Sequence, residues 1–329
     1  MDLSEISWQL PAGIVLLTIG GDLLVRGAVC IATALNVSRL LIGITLVGFG
    51  TSLPELVTSV RAALVGSPGI AVGNIVGSNI ANLLLVIGVA ALIYPLATPR
   101  DSIMRNGGMV AFATLILVGI AQYGFIDREI GAGLIGLLIL YFIYSYLRDR
   151  KLTAANGGTP HGDEDIPDSK VNIMLALLMA IAGTALVILG ARWLVDSSID
   201  LARDYGISET VIGLTVVAVG TSLPELVTTV IAALRKQTAI GVGNILGSNI
   251  QNIFGILGVT AVIQPIPVPP EIAHLDIWVM SGATVLFLIF AVTNWRLCRF
   301  EGFLLLLAYV AYIALLSYLD VLPALERTL

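Results

Sequence analysis

The chain has 329 residues, 57% hydrophobic and 12% charged, with a mean hydropathy of +0.97 and a formal net charge of −5. Soluble domains are about 25% charged, so this composition excludes a soluble globular protein and describes an integral membrane one. Two cysteines (Cys30, Cys298) and two histidines (His161, His274) exclude a disulfide framework and a histidine metal centre, and nothing in the charge balance calls for a nucleic-acid partner.

In chain order, the start (MDLSEISWQL) is acidic and lacks the basic stretch of a secretory leader, so the first apolar run is expected to stay as a span, at about 8–33. Spans at about 39–65 and 70–95 follow. Residues 62–99 contain no charged side chain; that is too long for one crossing of about 20 residues and predicts a turn near Ser67, Pro68 and Gly69. Spans at about 104–122 and 127–147 complete the first half. The segment 148–170 (RDRKLTAANGGTPHGDEDIPDSK) is the one long polar stretch, rich in Gly, Pro and acids as a flexible linker is. Its acidic run at 163–168 lacks the spacing of an EF-hand loop. Spans at about 171–198, 209–234, 239–263, 275–295 and 301–319 make the second half.

The predicted fold is therefore an all-α membrane protein of ten transmembrane helices. Residues 1–147 form a first five-helix repeat, 148–170 a linker, and 171–329 a second repeat. An odd number of spans per half makes the second repeat enter the membrane in the opposite sense. With the N-terminus outside, eleven Lys and Arg fall on inner loops and span ends, against Arg61, Arg128, Arg203 and Arg327 on the outer face. That bias fits the positive-inside rule and predicts external termini, a cytoplasmic linker and a multi-pass protein of the plasma (bacterial inner) membrane.

The two halves share a motif. Residues 43–60 (GITLVGFGTSLPELVTSV) and 213–230 (GLTVVAVGTSLPELVTTV) are identical at thirteen of eighteen positions, at a constant offset of 170. At the same offset, GNIVGSNIAN (73–82) and GNILGSNIQN (243–252) agree at eight of ten. Each first motif carries a glutamate, Glu55 or Glu225, inside a membrane-length apolar run. An ionisable group at that depth is expensive and marks an ion or substrate path.

Pro54 and Pro224 cannot donate to the carbonyls of Gly50 and Gly220, so each motif breaks its helix. Carbonyls freed at membrane depth persist only where protein, water or an ion meets them. Thr51 and Ser52 precede Glu55 by four and three residues, and Thr221 and Ser222 precede Glu225 likewise, at spacings that share a helix face. In the second motif Ser78 pairs with Asn82 and Ser248 with Asn252 at i, i+4. Gly73 with Gly77, and Gly243 with Gly247, form small surfaces that admit close helix approach. The four segments supply hard oxygen ligands with a formal charge of −2, the chemistry of Ca²⁺ rather than of softer metals. Two carboxylates about 5 Å apart repel by roughly 3 kcal/mol at an effective dielectric near 20. One Ca²⁺, two Na⁺ or two protons relieve that repulsion, and competition for the pair is the minimal physics of an antiporter.

Asn74, Asn79, Asn244 and Asn249 are expected to join helices by hydrogen bonds. Thr45, Thr58, Thr215 and Thr228 are expected to pack. Asp22 with Arg26, and Arg192 with Asp196, are expected to form intrahelical ion pairs at i, i+4.

These motifs resemble the alpha-repeats of the cation/calcium exchanger superfamily, most closely its sodium/calcium exchanger branch. The resemblance covers nearly the whole chain. It implies an antiporter, not an enzyme, that exchanges Ca²⁺ for Na⁺ as transported ions and needs no cofactor. It further implies alternating access, with the first and sixth spans sliding past the other eight, in a protein that functions as a monomer in the lipid bilayer. By motif position, Glu55 and Glu225 would be shared ion ligands, with backbone carbonyls from Thr51 and Thr221. Ser52, Ser78, Ser222 and Ser248 would flank them at sodium sites, and Asn82 and Asn252 would sit at the midplane. Gly48 and Ala218 would add carbonyls. Some branches have Asp at the position of Asn82 or Asn252; two Asn here argue against potassium dependence and leave H⁺-coupled exchange of Ca²⁺ or another divalent cation as the alternative. A channel would gain its pore from symmetry or filter loops, and an intramembrane hydrolase would have no use for paired oxygen ligands.

Overall fold

The structure, a computed structural model, describes residues 3–155, 172–204 and 218–326, with the side chains of 3–7, 153–155, 198–204, 218–219 and 320–326 left aside. Most of the linker, Thr215 and the first part of the expected seventh span lie outside the described residues. We number the helices α1 (Leu3–Leu35), α2 (Arg39–Thr51 and Leu53–Leu64), α3 (Pro68–Ile93), α4 (Arg100–Tyr123), α5 (Arg128–Ala155), α6 (Ile173–Asp204), α7 (Ala218–Thr221 and Leu223–Leu234), α8 (Thr238–Ile263), α9 (Ile272–Val292) and α10 (Arg299–Glu326). Among the described residues, eight of these are long and apolar enough to cross a membrane, and the bent pair in α2 makes a ninth. The apolar helix Leu223–Leu234 in α7 is shorter.

Burial sorts the helices into layers. The hydropathic windows of α3 and α8 are 78% and 83% buried, against 22% for α5 and α10, so α3 and α8 are central. The outer helices turn large apolar side chains outward, among them Leu115, Leu140, Ile181 and Phe300, as a lipid-facing surface requires. The main core joins α3 and α8 to α4, α5, α9 and α10 through Ile80, Leu83, Ile87, Phe254, Leu257 and Phe287. A second cluster joins α1 and α6 to the start of α2.

Pairings near the repeat offset run through the molecule. Thr114 and Thr284, 170 residues apart, meet hydroxyl to hydroxyl at 3.3 Å between α4 and α9. Two short ribbons follow the same logic: β1 (Leu96–Ala97) pairs with β4 (Arg296–Leu297), and β2 (Phe125–Ile126) with β3 (Ile266–Pro267), both antiparallel. The α3–α4 and α9–α10 loops therefore share one face, and the α4–α5 and α8–α9 loops share the other. Alternating traverses of an inverted pair produce this arrangement.

Polar contacts fix the entry to α2. The Ser38 hydroxyl caps Leu41 N–H at 3.2 Å, while Asp149 of α5 accepts from the Ser38 N–H (2.8 Å) and hydroxyl (2.7 Å). Asp22 pairs with Arg26 at 2.9 Å, as its spacing predicts, and also with Arg235 at the end of α7. Arg192 and Asp196 are both exposed and make no ion pair with each other. Both side chains instead line a cavity together with Arg61 and Pro224.

Candidate ion-binding site

Each GTSLPE motif breaks its helix where the proline predicts. The backbone leaves helical geometry at Ser52 (φ −85°, ψ 6°) and Ser222 (φ −91°, ψ 7°), and Pro54 and Pro224 then sit in the first turn of the helices that restart. That is a position where a missing N–H costs nothing. The two pieces of α2 meet at 46°. Just before this break, residues Gly43–Val47 widen into a π-helical turn; further π turns start at Asn82 in α3 and at Gln251, beside Asn252, in α8. Such turns expose backbone groups and recur at functional positions.

These breaks aim the glutamates inward. Glu55 is 1% and Glu225 0% exposed, and the two carboxylates interact electrostatically. Of the other candidate ligands, Thr51, Ser52, Ser78, Asn82, Ser222, Ser248 and Asn252 are all buried, with Gly48 buried as well and Thr221 half-buried. The side chain of Ala218 lies outside the described set; its backbone opens α7.

The hydrogen bonds cross between the halves. Ser52 donates to Glu225 Oε1 at 3.0 Å, and the Thr51 and Ser248 hydroxyls lie close to the same carboxylate. Thr51 also donates to Asn244 Oδ1 at 3.1 Å and to its own helix at Val47 and Gly48. Ser248 reaches the Gly48 carbonyl at 3.5 Å. Thr51 and Ser52 thus serve the second copy's acid rather than sharing a continuous face with Glu55, because the helix bends between them. Asn74 and Asn244 act as expected of helix joiners: Asn74 donates to the Glu55 carbonyl (3.2 Å) and Ser59 (2.9 Å), and Asn244 to the Glu225 carbonyl (3.5 Å) and Thr229 (3.0 Å). Asn79 accepts from Asn252 at 3.0 Å, and Asn249 donates to the Ile245 carbonyl.

Against that order stands a set of buried oxygens with no protein partner: both carboxylate oxygens of Glu55, Oε2 of Glu225, the hydroxyls of Ser78 and Ser222, and the side-chain oxygens of Asn82 and Asn252. Buried carboxylates without a base or a donor are costly. Among the described residues no third His, Cys, Asp or Glu joins the pair, so the surplus is two acids among neutral oxygens, a donor set suited to hard cations.

On the Thr51–Ser248 side, α8 crosses α2 so closely that a Cβ on Gly247 would overlap the Ile44 carbonyl, and Gln251 Nε2 bonds that carbonyl at 2.6 Å. Gln251 has Ala81 as its counterpart, and sequence reading missed its role; its polar side chain, at one of the two mismatches in the second motif, was the available signal. On the Thr221–Ser78 side, the counterpart of Gly43–Val47, residues 213–217, lies outside the described residues, and among those described nothing comes within 4 Å of a Cβ on Gly77. There, cavities of about 330 and 460 Å³ reach Thr221, and the first also reaches Ser78.

A bundle of apolar helices with two buried acids from related, oppositely directed segments, set among neutral oxygens, defines a membrane carrier for cations. The family model of the sodium/calcium exchanger protein matches residues 6–147 and 175–318. The sodium/calcium exchanger MaX1 of Methanosarcina acetivorans is 36% identical, over 93% of this chain and 97% of its own. The inner membrane protein YrbG of Escherichia coli is 33% identical, over 94% and 96%, and the Ca²⁺/H⁺ antiporter ChaA of Bacillus subtilis 26% identical, over 80% and 79%. A solved structure of the sodium-calcium exchanger NCX_Mj, soaked with 10 mM Na⁺ and zero Ca²⁺, superposes with a TM-score of 0.80 at 31% identity, covering 94% of this chain and 98% of that one. The chain belongs to the sodium/calcium exchanger protein family: it is a membrane transporter that exchanges ions, and not an enzyme.

Proposed function

We propose that this protein exchanges Ca²⁺ for Na⁺ by alternating access at a site shared by two inverted repeats, 1–147 and 171–329, joined by the 148–170 linker. One observation carries the reading. Two fully buried carboxylates, one from each repeat, keep three of their four oxygens without a protein partner amid neutral hydroxyl, amide and carbonyl oxygen. Glu55 and Glu225 are the shared ligands. Thr51 and Thr221 contribute carbonyls, with Gly48 and Ala218 behind them. Ser52, Ser78, Ser222 and Ser248 flank the pair at Na⁺ sites, and Asn82 and Asn252 lie at the midplane. The charge bias of the loops supports external termini, a cytoplasmic linker and a bacterial inner-membrane location, with the monomer as the working unit.

The test is flux in reconstituted vesicles. An imposed Na⁺ gradient is expected to drive Ca²⁺ uptake, and Glu55→Gln or Glu225→Gln to stop it. The likeness to a Ca²⁺/H⁺ antiporter favours one second reading, H⁺-coupled exchange at the same two acids. Uptake driven by a pH gradient in the absence of Na⁺ would select it over the first.

A further inference from the structure

The cavity of about 330 Å³ that reaches Ser78 and Thr221 contains one carboxylate that the ion site does not use. Asp276 lines it with Tyr309 and Tyr312. The Tyr312 hydroxyl donates to Asp276 Oδ1 at 2.8 Å, and Asp276 closes a π turn, Ile272–Asp276, at the start of α9. No Lys, Arg or second acid lines this cavity among the described residues. At its inner end the Ser78 hydroxyl is 97% buried and has no protein partner.

The other half supplies a natural control. Counting back 170 residues from Asp276 gives Asn106, also within a π turn, Ile103–Gly107. The Tyr141 hydroxyl donates to Asn106 Oδ1 at 3.0 Å, the counterpart of the Tyr312–Asp276 contact. The neighbouring cavity, of about 420 Å³, is lined by Arg105, Arg148 and Asp101 and stops short of the ion site. The tyrosine latch therefore forms with a neutral amide as well as with a carboxylate, so holding the two helices together does not require the charge on Asp276. What the charge adds is a negative potential in the cavity that reaches Ser78 and Thr221, and low-dielectric walls focus such a potential.

We propose that Asp276, oriented by Tyr312, is a cation-recruiting station at the mouth of the path to Ser78 and Thr221. It serves only the membrane face that carries the α8–α9 loop, so the carrier captures its cation more readily from that face than from the other. The inference rests on the exchanger reading above and adds a residue outside the shared ligand set.

Asp276→Asn gives this half the residue that the other half already has. In vesicles of known orientation at low ionic strength, it is expected to raise the KM for Ca²⁺ on the α8–α9 face by about tenfold, the lower end of what a charged cleft adds to association. The KM on the opposite face and the rate at saturating Ca²⁺ are expected to stay within twofold. The difference should vanish near 1 M salt, where the screening length is about 3 Å. Asn106→Asp should lower the KM on the opposite face. An unchanged KM, an equal change on both faces, or a loss confined to the maximal rate overturns the proposal.

A binding measurement separates this from failure of the exchanger reading. Tb³⁺ added to the purified full chain carrying Glu55→Gln and Glu225→Gln should show emission sensitised by Tyr309 and Tyr312. Adding Asp276→Asn should weaken that titration at least fivefold. If wild type carries no Ca²⁺ under any gradient, the exchanger reading falls, and the Tb³⁺ titration alone decides for or against a cation at Asp276.

Discussion

The Ser52 hydroxyl, from the first repeat, donates to the Glu225 carboxylate of the second at 3.0 Å, whereas its counterpart Ser222 is equally buried and has no partner. One half of the site is thus latched and the other is not. A hydrogen bond to a charged acceptor contributes about 1.5–3 kcal/mol. Ser52→Ala is expected to cost ten- to hundredfold in apparent cation affinity, and Ser222→Ala distinctly less. Paired equilibrium Ca²⁺ titrations of the two variants check this; equal losses would mean the latch has no energetic weight.

A second expectation concerns stability. With no base beside them among the described residues, Glu55 and Glu225 oppose each other until a cation arrives. Ligand at a hundred times its Kd stabilises the native state by about 2.7 kcal/mol, so Ca²⁺ should raise the unfolding temperature of wild type. Glu55→Gln should raise the cation-free melting temperature by removing an unpaired buried charge, and should abolish most of the Ca²⁺-dependent rise. Differential scanning fluorimetry in detergent, with and without Ca²⁺, reads both effects. A cation-free variant less stable than wild type would mean that Glu55 has a structural partner.

Much of this was legible in the sequence because it rests on identity and hydropathy. The constant offset of 170, the proline two residues after each serine and the charge-free runs fix the repeats, the broken helices and the inward glutamates. The partners inside the site were not legible: nearly identical motifs leave Ser52 bonded to Glu225 and Ser222 without a partner, and residue identity does not distinguish the two copies. The π turns at Asn82, Asn106, Gln251 and Asp276 leave no signature in residue type. Ser52 was read as a neighbour of Glu55 because i, i+3 spacing assumes a continuous helix; the 46° bend redirects it across the repeat boundary. Asp276 stood outside both motifs, and its significance emerges only once the cavity joins it to Ser78.

The two midplane asparagines should respond differently to added charge. Asn252 donates to Asn79, while neither polar atom of Asn82's side chain has a protein partner. Asn82→Asp adds a third carboxylate without breaking a contact and is expected to tighten Ca²⁺ binding at least tenfold while slowing its release. Asn252→Asp removes the donor that Asn79 uses and should destabilise the cation-free protein by about 1–3 kcal/mol, the cost of a buried unsatisfied group. Calcium titration beside thermal melting separates the two. Similar behaviour of both variants would mean that the asparagines exchange roles freely.

The glycine at the α2–α8 crossing makes the last case. Gly247 sits where any side chain would overlap the Ile44 carbonyl. Adding a methyl group there forces the two helices apart beside the Thr51 and Ser248 hydroxyls that lie close to Glu225. Gly247→Ala is expected to be destabilised by the roughly 1–3 kcal/mol typical of overpacking and to weaken Ca²⁺ binding with it. Thermal melting beside an equilibrium Ca²⁺ titration checks both effects. An unchanged melting temperature would show that α2 and α8 separate at this crossing without cost.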